Sequence, residues 1–135
     1  MATNKGSCLC GKVEFCVHGE FLYAGYCHCA MCRKSSGGAG TVVGGIQSEK
    51  MVITKGDEYI KRFHRSKETT SCFCNHCGSM LYGEKPSIGM VHIRFGALNN
   101  SPKQLPQAHM HVSSKPDWYD ILDSLPQFAE FPPQE

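Results

Sequence analysis

Nine cysteines occur in this 135-residue chain, and all but Cys16 sit in three tight clusters. Cys8 and Cys10 form C-x-C. Cys27, Cys29 and Cys32 form C-x-C-x-x-C, a pattern that Cys72, Cys74 and Cys77 repeat. Neighbours this close rarely meet disulfide geometry. They do let several thiolates from one short segment converge on a single ion at about 2.3 Å. The spacing predicts a metal protein, with zinc favoured over an iron–sulfur cluster.

An odd, clustered cysteine count points to a reducing compartment. The opening MATNKGSCLCGK lacks the apolar stretch of a secretory signal, and no apolar run reaches the ~18 residues of a membrane span. The expectation is a cytoplasmic protein with no membrane partner. Fourteen basic against 12 acidic residues leave a net charge of +2. That balance gives no electrostatic case for nucleic acid, and the grouping of Lys61, Arg62, Arg65 and Lys67 reads as a solvated strand and loop. The oligomeric state is left open.

Apolar residues recur with period two, as Val13, Phe15 and Val17 do, which predicts half-buried strands. Further strands are expected over 21–26, 41–46, 51–54, 58–64, 69–73, 90–95 and 109–112, separated by glycine, proline and asparagine turns. The fold class is mainly β, built of small antiparallel sheets with at most one or two short helices. The one helical candidate is Pro116–Leu122. A single zinc-binding domain is expected over 1–125, with a proline-rich tail over 126–135 that is either frayed or a strap packed through Phe128 and Phe131; partial packing is favoured.

Cys74-Asn75-His76-Cys77-Gly78 has the form of a zinc knuckle, its glycine suited to a left-handed turn. Cys8 and Cys10, two apart on an expected strand, would point to one face and complete a four-thiolate structural site. Cys27, Cys29 and Cys32 form a tripod, and three protein ligands with one exchangeable position is the pattern of a catalytic zinc. A second structural site, closed by Cys72 or a histidine, is the other reading. A three-thiolate ion acidifies water weakly but suits a soft thiol, so thiol chemistry is expected over hydrolysis. His28 is expected to gate the open position or orient the loop. His109 and His111 are expected to share a strand face in a surface or packing role, with His92 similar. Cys16 is expected as a buried small hydrophobe, and Trp118-Tyr119 as core or strap.

Gly6-Ser7-Cys8-Leu9-Cys10-Gly11-Lys12-Val13, then Cys27-His28-Cys29 through Cys32-Arg33-Lys34, then Phe73-Cys74 through Cys77-Gly78 occur in that order. With Ser114 to Trp118 and Leu125 to Phe128, they resemble the glutathione-dependent formaldehyde-activating enzyme family, which includes centromere protein V. The resemblance implies a β-tent fold around a structural zinc held by Cys8, Cys10, Cys74 and Cys77. It implies a second, catalytic zinc on Cys27, Cys29 and Cys32, two ions in all. It also implies a carbon–sulfur lyase that handles the adduct of a small thiol such as glutathione with an aldehyde such as formaldehyde. Arg33, Lys34 and Arg94 are the candidates for glutathione's carboxylates. The alternatives are a non-catalytic zinc-binding module with both sites structural, and a thiol-based metal or redox buffer.

Overall fold

The computed structural model describes residues 3–131. The strands are β1 (Thr3–Ser7), β2 (Glu14–His18), β3 (Tyr23–Cys27), β4 (Thr41–Gln47), β5 (Met51–Lys55), β6 (Ile60–His64), β7 (Thr70–Cys74), β8 (Met80–Lys85), β9 (Met90–Arg94) and β10 (His109–Met110). Among the described residues there is one α-helix, α1 (Ala30–Ser36). The mainly β class is therefore as expected. One sheet is the antiparallel trio β1-β2-β5, and the other has seven strands in the order β10-β3-β4-β9-β8-β7-β6. The larger sheet is antiparallel except at its edge, where β10 runs parallel to β3.

Period-two alternation explains how the sheets face each other. In β2, Phe15 and Val17 are buried between exposed Glu14 and His18. They join Phe21, Ile46, Leu81, Val91 and Ile93 in one core shared by both sheets. Fully burying side chains of this size contributes about 1.5–3 kcal/mol each. Cys16 alternates out of that core and is partly exposed, which corrects the expectation of a buried thiol.

Two strands had no visible signal. Thr-Asn-Lys-Gly-Ser in β1 carries no apolar residue, and its inward positions are Asn4, at 5% exposure, and Gly6. Asn100 holds the strand instead, donating to Asn4 Oδ1 at 2.6 Å and accepting from the Lys5 amide at 2.9 Å. A side chain at Gly6 would overlap the Phe15 ring. In β8 the apolar run Met80-Leu81-Tyr82 is short and broken by Gly83.

The helix lies elsewhere than expected. Residues 116–122 are irregular with a turn at 117–118, and with Trp118 70% and Leu122 92% exposed the segment lacks the continuous apolar face whose packing would repay helix formation. In α1, Cys29 is the N-cap and accepts the Cys32 amide through its sulfur, while Gly37 closes the helix at φ 72° and donates to the Arg33 carbonyl. Basic residues in the last turn and the C-terminal glycine were the available sequence signals.

Residues 126–131 of the expected tail pack as a strap. The His109 amide donates to the Pro126 carbonyl at 2.8 Å, and the Phe128 amide to the His109 carbonyl at 2.9 Å. Phe131 sets its ring edge against His111 with centroids 4.6 Å apart, although it is 71% exposed. Residues 132–135 lie outside the described residues.

Gly56 ties the small sheet to the turn before β2. Its φ is +79°, and a Cβ there would overlap the Lys12 carbonyl oxygen, whereas at Gly89, with φ +65°, a Cβ meets nothing. Gly56→Ala is expected to cost at least about 2 kcal/mol more than Gly89→Ala, which bears only the left-handed backbone penalty. Denaturant unfolding of both variants measures the difference. Equal midpoints would refute the close approach.

Candidate metal centres and the face beside them

Two knuckle-like turns build the first centre. The Cys74 amide donates to the Ser79 carbonyl at 3.0 Å and the Gly78 amide to the Cys74 carbonyl at 2.9 Å, with Gly78 at φ +79°. The first half of the chain repeats this: the Cys8 amide donates to the Val13 carbonyl, the Gly11 amide to the Cys8 carbonyl, and Gly11 stands at φ +80°. Cys8 and Cys10 thus lie in a turn after β1 rather than on a strand. Gly11 was the signal for it. Both thiols still converge, because the turn wraps them round one point.

Each first cysteine accepts backbone donors through sulfur. Cys8 takes the Val13 amide at 3.2 Å, and Cys74 takes those of His76 at 3.4 Å and Cys77 at 3.5 Å. Such bonds favour thiolates. The sulfurs of Cys8, Cys10, Cys74 and Cys77 all lie within 4.8 Å of one another. Cys8 to Cys10 measures 3.5 Å and Cys10 to Cys74 3.8 Å, against about 3.8 Å for four thiolates around zinc at bonding distance. The donor set fits that ion.

The second cluster sits where β3 runs into α1. Cys27 ends the strand, Cys29 caps the helix and Cys32 lies buried in its first turn. Their sulfurs also fall within 4.8 Å of one another. Three thiols this close resist ionising together. The hydrogen bond with Cys32, then burial, pushes Cys27 well above its ordinary value, while the Cys27 hydrogen bond holds Cys32 down to about 4 against desolvation, helped by Thr41 and Arg65. A cation among the sulfurs removes that conflict. The chain returns close beneath: a side chain at Gly40 would overlap the Cys27 carbonyl oxygen.

Cys72 belongs to neither cluster. It is fully buried in β7 and donates to Glu84 Oε1 at 3.4 Å. Burial first, then the Glu84 charge, pushes its thiol up to about 12. The reading in which Cys72 closes the tripod is not the arrangement observed.

His28 points away from the sulfurs on either side of it, as alternation along an extended segment dictates. Its Nε2 lies 2.8 Å from Nδ1 of His109, whose Nε2 lies 3.0 Å from both carboxylate oxygens of Asp123. Tyr26 stacks on His109, and Tyr119 on His28, with centroids 4.6 and 5.8 Å apart. His28 therefore anchors the loop from behind rather than gating it. His109 and His111 do not share a strand face: His109 is wholly buried, and His111 lies past β10 at φ 56°. Trp118 is exposed and only Tyr119 serves as strap.

On the outer face of the large sheet, Tyr23 lies across Gly45, where any Cβ would overlap its ring. Its hydroxyl shares a 2.6 Å hydrogen bond with His92 Nε2. Burial, then the charges of Lys85 and Arg65, pulls His92 down from 6.5 to about 4. The imidazole is expected to stay neutral from pH 8 to pH 5, a flat chemical-shift titration by NMR. Between about pH 6.5 and 4 the unfolded chain binds a proton there that the native state does not, so this group's contribution lowers stability as pH falls. A His92 midpoint near 6.5 would contradict the burial.

The fold and the sulfur geometry define a mainly β protein with two cysteine clusters, each able to hold a metal ion. The chain belongs to the family described as glutathione-dependent formaldehyde-activating enzyme, whose profile matches residues 3–114. A Halomonas elongata protein provisionally given that name is 28% identical over 87% of this chain and 80% of its own length. One from Colletotrichum graminicola, also provisionally so named, is 28% identical over 96% of this chain but only 59% of its own length, so the chain spans little more than half of that relative. A crystal structure of a Rhodobacter sphaeroides protein superposes with a TM-score of 0.60 over 73% of this chain and 91% of that one, at 21% identity, a likeness of fold. Among the described residues, no helix is long and apolar enough to cross a membrane.

Sequence reasoning did not find the roles of His109, Asp123 and Tyr119 behind the tripod, or of Arg65 and Lys85 beside it. They come from separate elements and carry no shared motif.

Proposed function

We propose that this protein is a zinc-dependent carbon–sulfur lyase acting on the adduct of a small thiol and an aldehyde. Glutathione and formaldehyde are the pair that the family's name suggests. The observation that carries the reading is the second cluster: three cysteines, with the nearby candidates for a fourth ligand engaged elsewhere, Cys72 by Glu84 and His28 by His109. That arrangement favours an exchangeable position over a closed structural site.

Cys8, Cys10, Cys74 and Cys77 would hold a structural zinc, and Cys27, Cys29 and Cys32 the catalytic one. Bound there, zinc supplies a soft Lewis acid that favours the thiolate form of a thiol and polarises an aldehyde-derived oxygen. The chain supplies the rest. The β3–α1 junction fixes the three sulfurs, and the His28–His109–Asp123 chain holds that junction from behind. Arg65 Nη1, 4.0 Å from Cys32 Sγ, steadies negative charge at the site. In condensation the thiol sulfur bonds to the carbonyl carbon, the carbonyl π pair moves to oxygen, and the thiol's proton ends on that oxygen. The lyase direction reverses each change. We also read residues 1–125 as one metal-binding domain with its tail as a strap, in the reducing cytoplasm that unpaired cysteines suit.

The test is exchange NMR of hemithioacetal formation, with glutathione and formaldehyde and then a panel of other thiols and aldehydes. Zinc-loaded protein should accelerate at least one pair above the protein-free rate. Acceleration of none would leave the non-catalytic zinc module as the better reading.

Metal removal offers a separate check. Three ligands from one short segment hold an ion less securely than four drawn from turns 64 residues apart. A chelator titration is therefore expected to release zinc in two phases, with circular dichroism unchanged through the first. Loss of both ions together with unfolding would count against the assignment.

A further inference from the structure

Strand register separates the two faces of the large sheet. Cys27 pairs with Thr41, and Val43, two residues on, pairs with Arg94, so these four share the tripod face. The opposite face carries the core residues Val91 and Ile93 of β9, which pair with Glu84 and Tyr82 of β8. The same two rows continue through Thr70 and Cys72 of β7 to His64 and Arg62 of β6. Alternation aims all of these side chains to the core side of the sheet. Where Val91 and Ile93 set an apolar pattern, the rows turn polar.

The small sheet ends short of them. Its edge strand β5 pairs with β2 alone, and Met51 and Ile53 of β5 pack against the core. A cavity of about 320 Å³ lies there, lined by Thr70, Tyr82 and Glu84 of the sheet and by the apolar Met51, Ile53 and Met90. Benzene fills a cavity of about 150 Å³, so a body of roughly nine or ten non-hydrogen atoms suits this one. Methionine side chains are flexible and polarisable and close round an aliphatic or aromatic group alike.

Glu84 brings a carboxylate to this apolar surround, and the carboxylate is held. Arg62 Nε donates to Oε1 at 3.0 Å, and Cys72 Sγ donates to the same oxygen at 3.4 Å. Burial first, then the Glu84 charge, pushes the Cys72 thiol up to about 12, so near neutral pH the sulfur keeps its proton and acts as the donor. Cys72, which neither metal centre uses, thus orients Glu84. Arg62 Nη2 turns to the Tyr82 hydroxyl at 3.5 Å. Both donors to the carboxylate fall on Oε1, and Oε2 has no partner among the described residues. A pocket with apolar walls and one fixed polar group is the usual form of a small-molecule site. An anion would meet Glu84 at close range, and a neutral donor would make an ordinary hydrogen bond. An ammonium would make a charge-assisted one, about twice as strong.

We propose that this cavity between the sheets is a second small-molecule site, which takes a primary amine with a compact apolar body, its ammonium bound at Glu84 Oε2. The site lies on the face of the large sheet opposite the tripod, and it does not depend on the lyase reading.

The experiment titrates the zinc-loaded full chain, methyl-labelled for NMR, with three probes of similar size: phenethylamine, phenethyl alcohol and phenylacetate. The amine is expected to shift the methyls of Ile53, Met90 and Val91 with a Kd of about 1 mM or tighter. The alcohol should bind about tenfold more weakly, and phenylacetate more weakly still. The gap between amine and alcohol should narrow as salt rises. Glu84→Gln should bring the amine down to the level of the alcohol. Arg62→Gln removes the cation that shares the carboxylate, so it should tighten the amine severalfold and leave the alcohol unchanged. Thermal melts of each variant report whether the fold survives, and the wild-type comparison of the three probes decides the matter if a variant does not. Equal binding of amine and alcohol, shifts confined to residues outside the cavity, or no shift at about 10 mM amine would each overturn the proposal.

Discussion

With serine in place of Cys77, the chain is expected to show no cooperative thermal transition and to accumulate as aggregate. Cys77 completes a set whose other members include Cys8, 4% exposed, and Cys74, wholly buried. These sulfurs join the turn after β1 to the turn between β7 and β8, so an ion among them fastens the small sheet to the large one. A structural zinc of this kind contributes on the order of 10 kcal/mol to folding, about as much as the whole stability of a typical domain. Serine nearly keeps the volume but not a thiolate, and three sulfurs, two of them buried, would be left around a weakened site. Cys16→Ser is the control, since Cys16 is partly exposed and lies outside both clusters. Native circular dichroism and a cooperative melt for Cys77→Ser after exhaustive chelation would falsify a structural role.

Cys32→Ser is expected to have the opposite profile, losing catalysis while keeping the fold. Cys32 is a buried member of the tripod and lies in the first turn of α1. Its amide donates to Cys29 Sγ at 3.3 Å, a bond the substitution leaves in place. The hydroxyl of serine does not ionise near neutral pH, so the site drops to two thiolates. Zinc content should fall from two ions towards one, and acceleration of hemithioacetal exchange should fall at least about a hundredfold, beyond the 10–100-fold typical of supporting residues alone. The melting transition should survive, because the four-cysteine centre is untouched. Exchange at the wild-type rate with one zinc remaining would show that the tripod is not the reactive site.

How much of this was legible beforehand depended on how local the signal was. β2, β4 and β9 carry alternating or continuous apolar residues, and their existence followed from pattern. β1 carries none; it is a strand because β2 pairs with it and because Asn100 bonds to Asn4 and Lys5, the latter contacts made across more than ninety residues. The helix was missed because α1 is seven residues long and is specified by its caps rather than by a repeating apolar face. The placement of Cys8 and Cys10 on a strand failed for a related reason: Gly11 turns the chain there, yet the pairing of these thiols with Cys74 and Cys77 in one cluster did not depend on it.

Sequence by itself determined which sulfurs could share an ion. Thiols one or two residues apart stay within chelating reach in either a turn or a strand, since so few backbone torsions separate them. It also set the core, because period-two burial commits Phe15, Val17, Val91 and Ile93 to the same side of their sheets. Tertiary structure alone decided what surrounds the second cluster. Cys72 lies two residues from Cys74 but turns to Glu84, because the partner across β7 and β8 is chosen by register and by the bulge between Cys72 and Phe73. Asp123 reaches the back of the tripod through His109, and Arg65 and Lys85 reach its side, from segments with no common spacing. Charges brought together in that way depend on strand order and register, long-range properties that no short run of residues encodes.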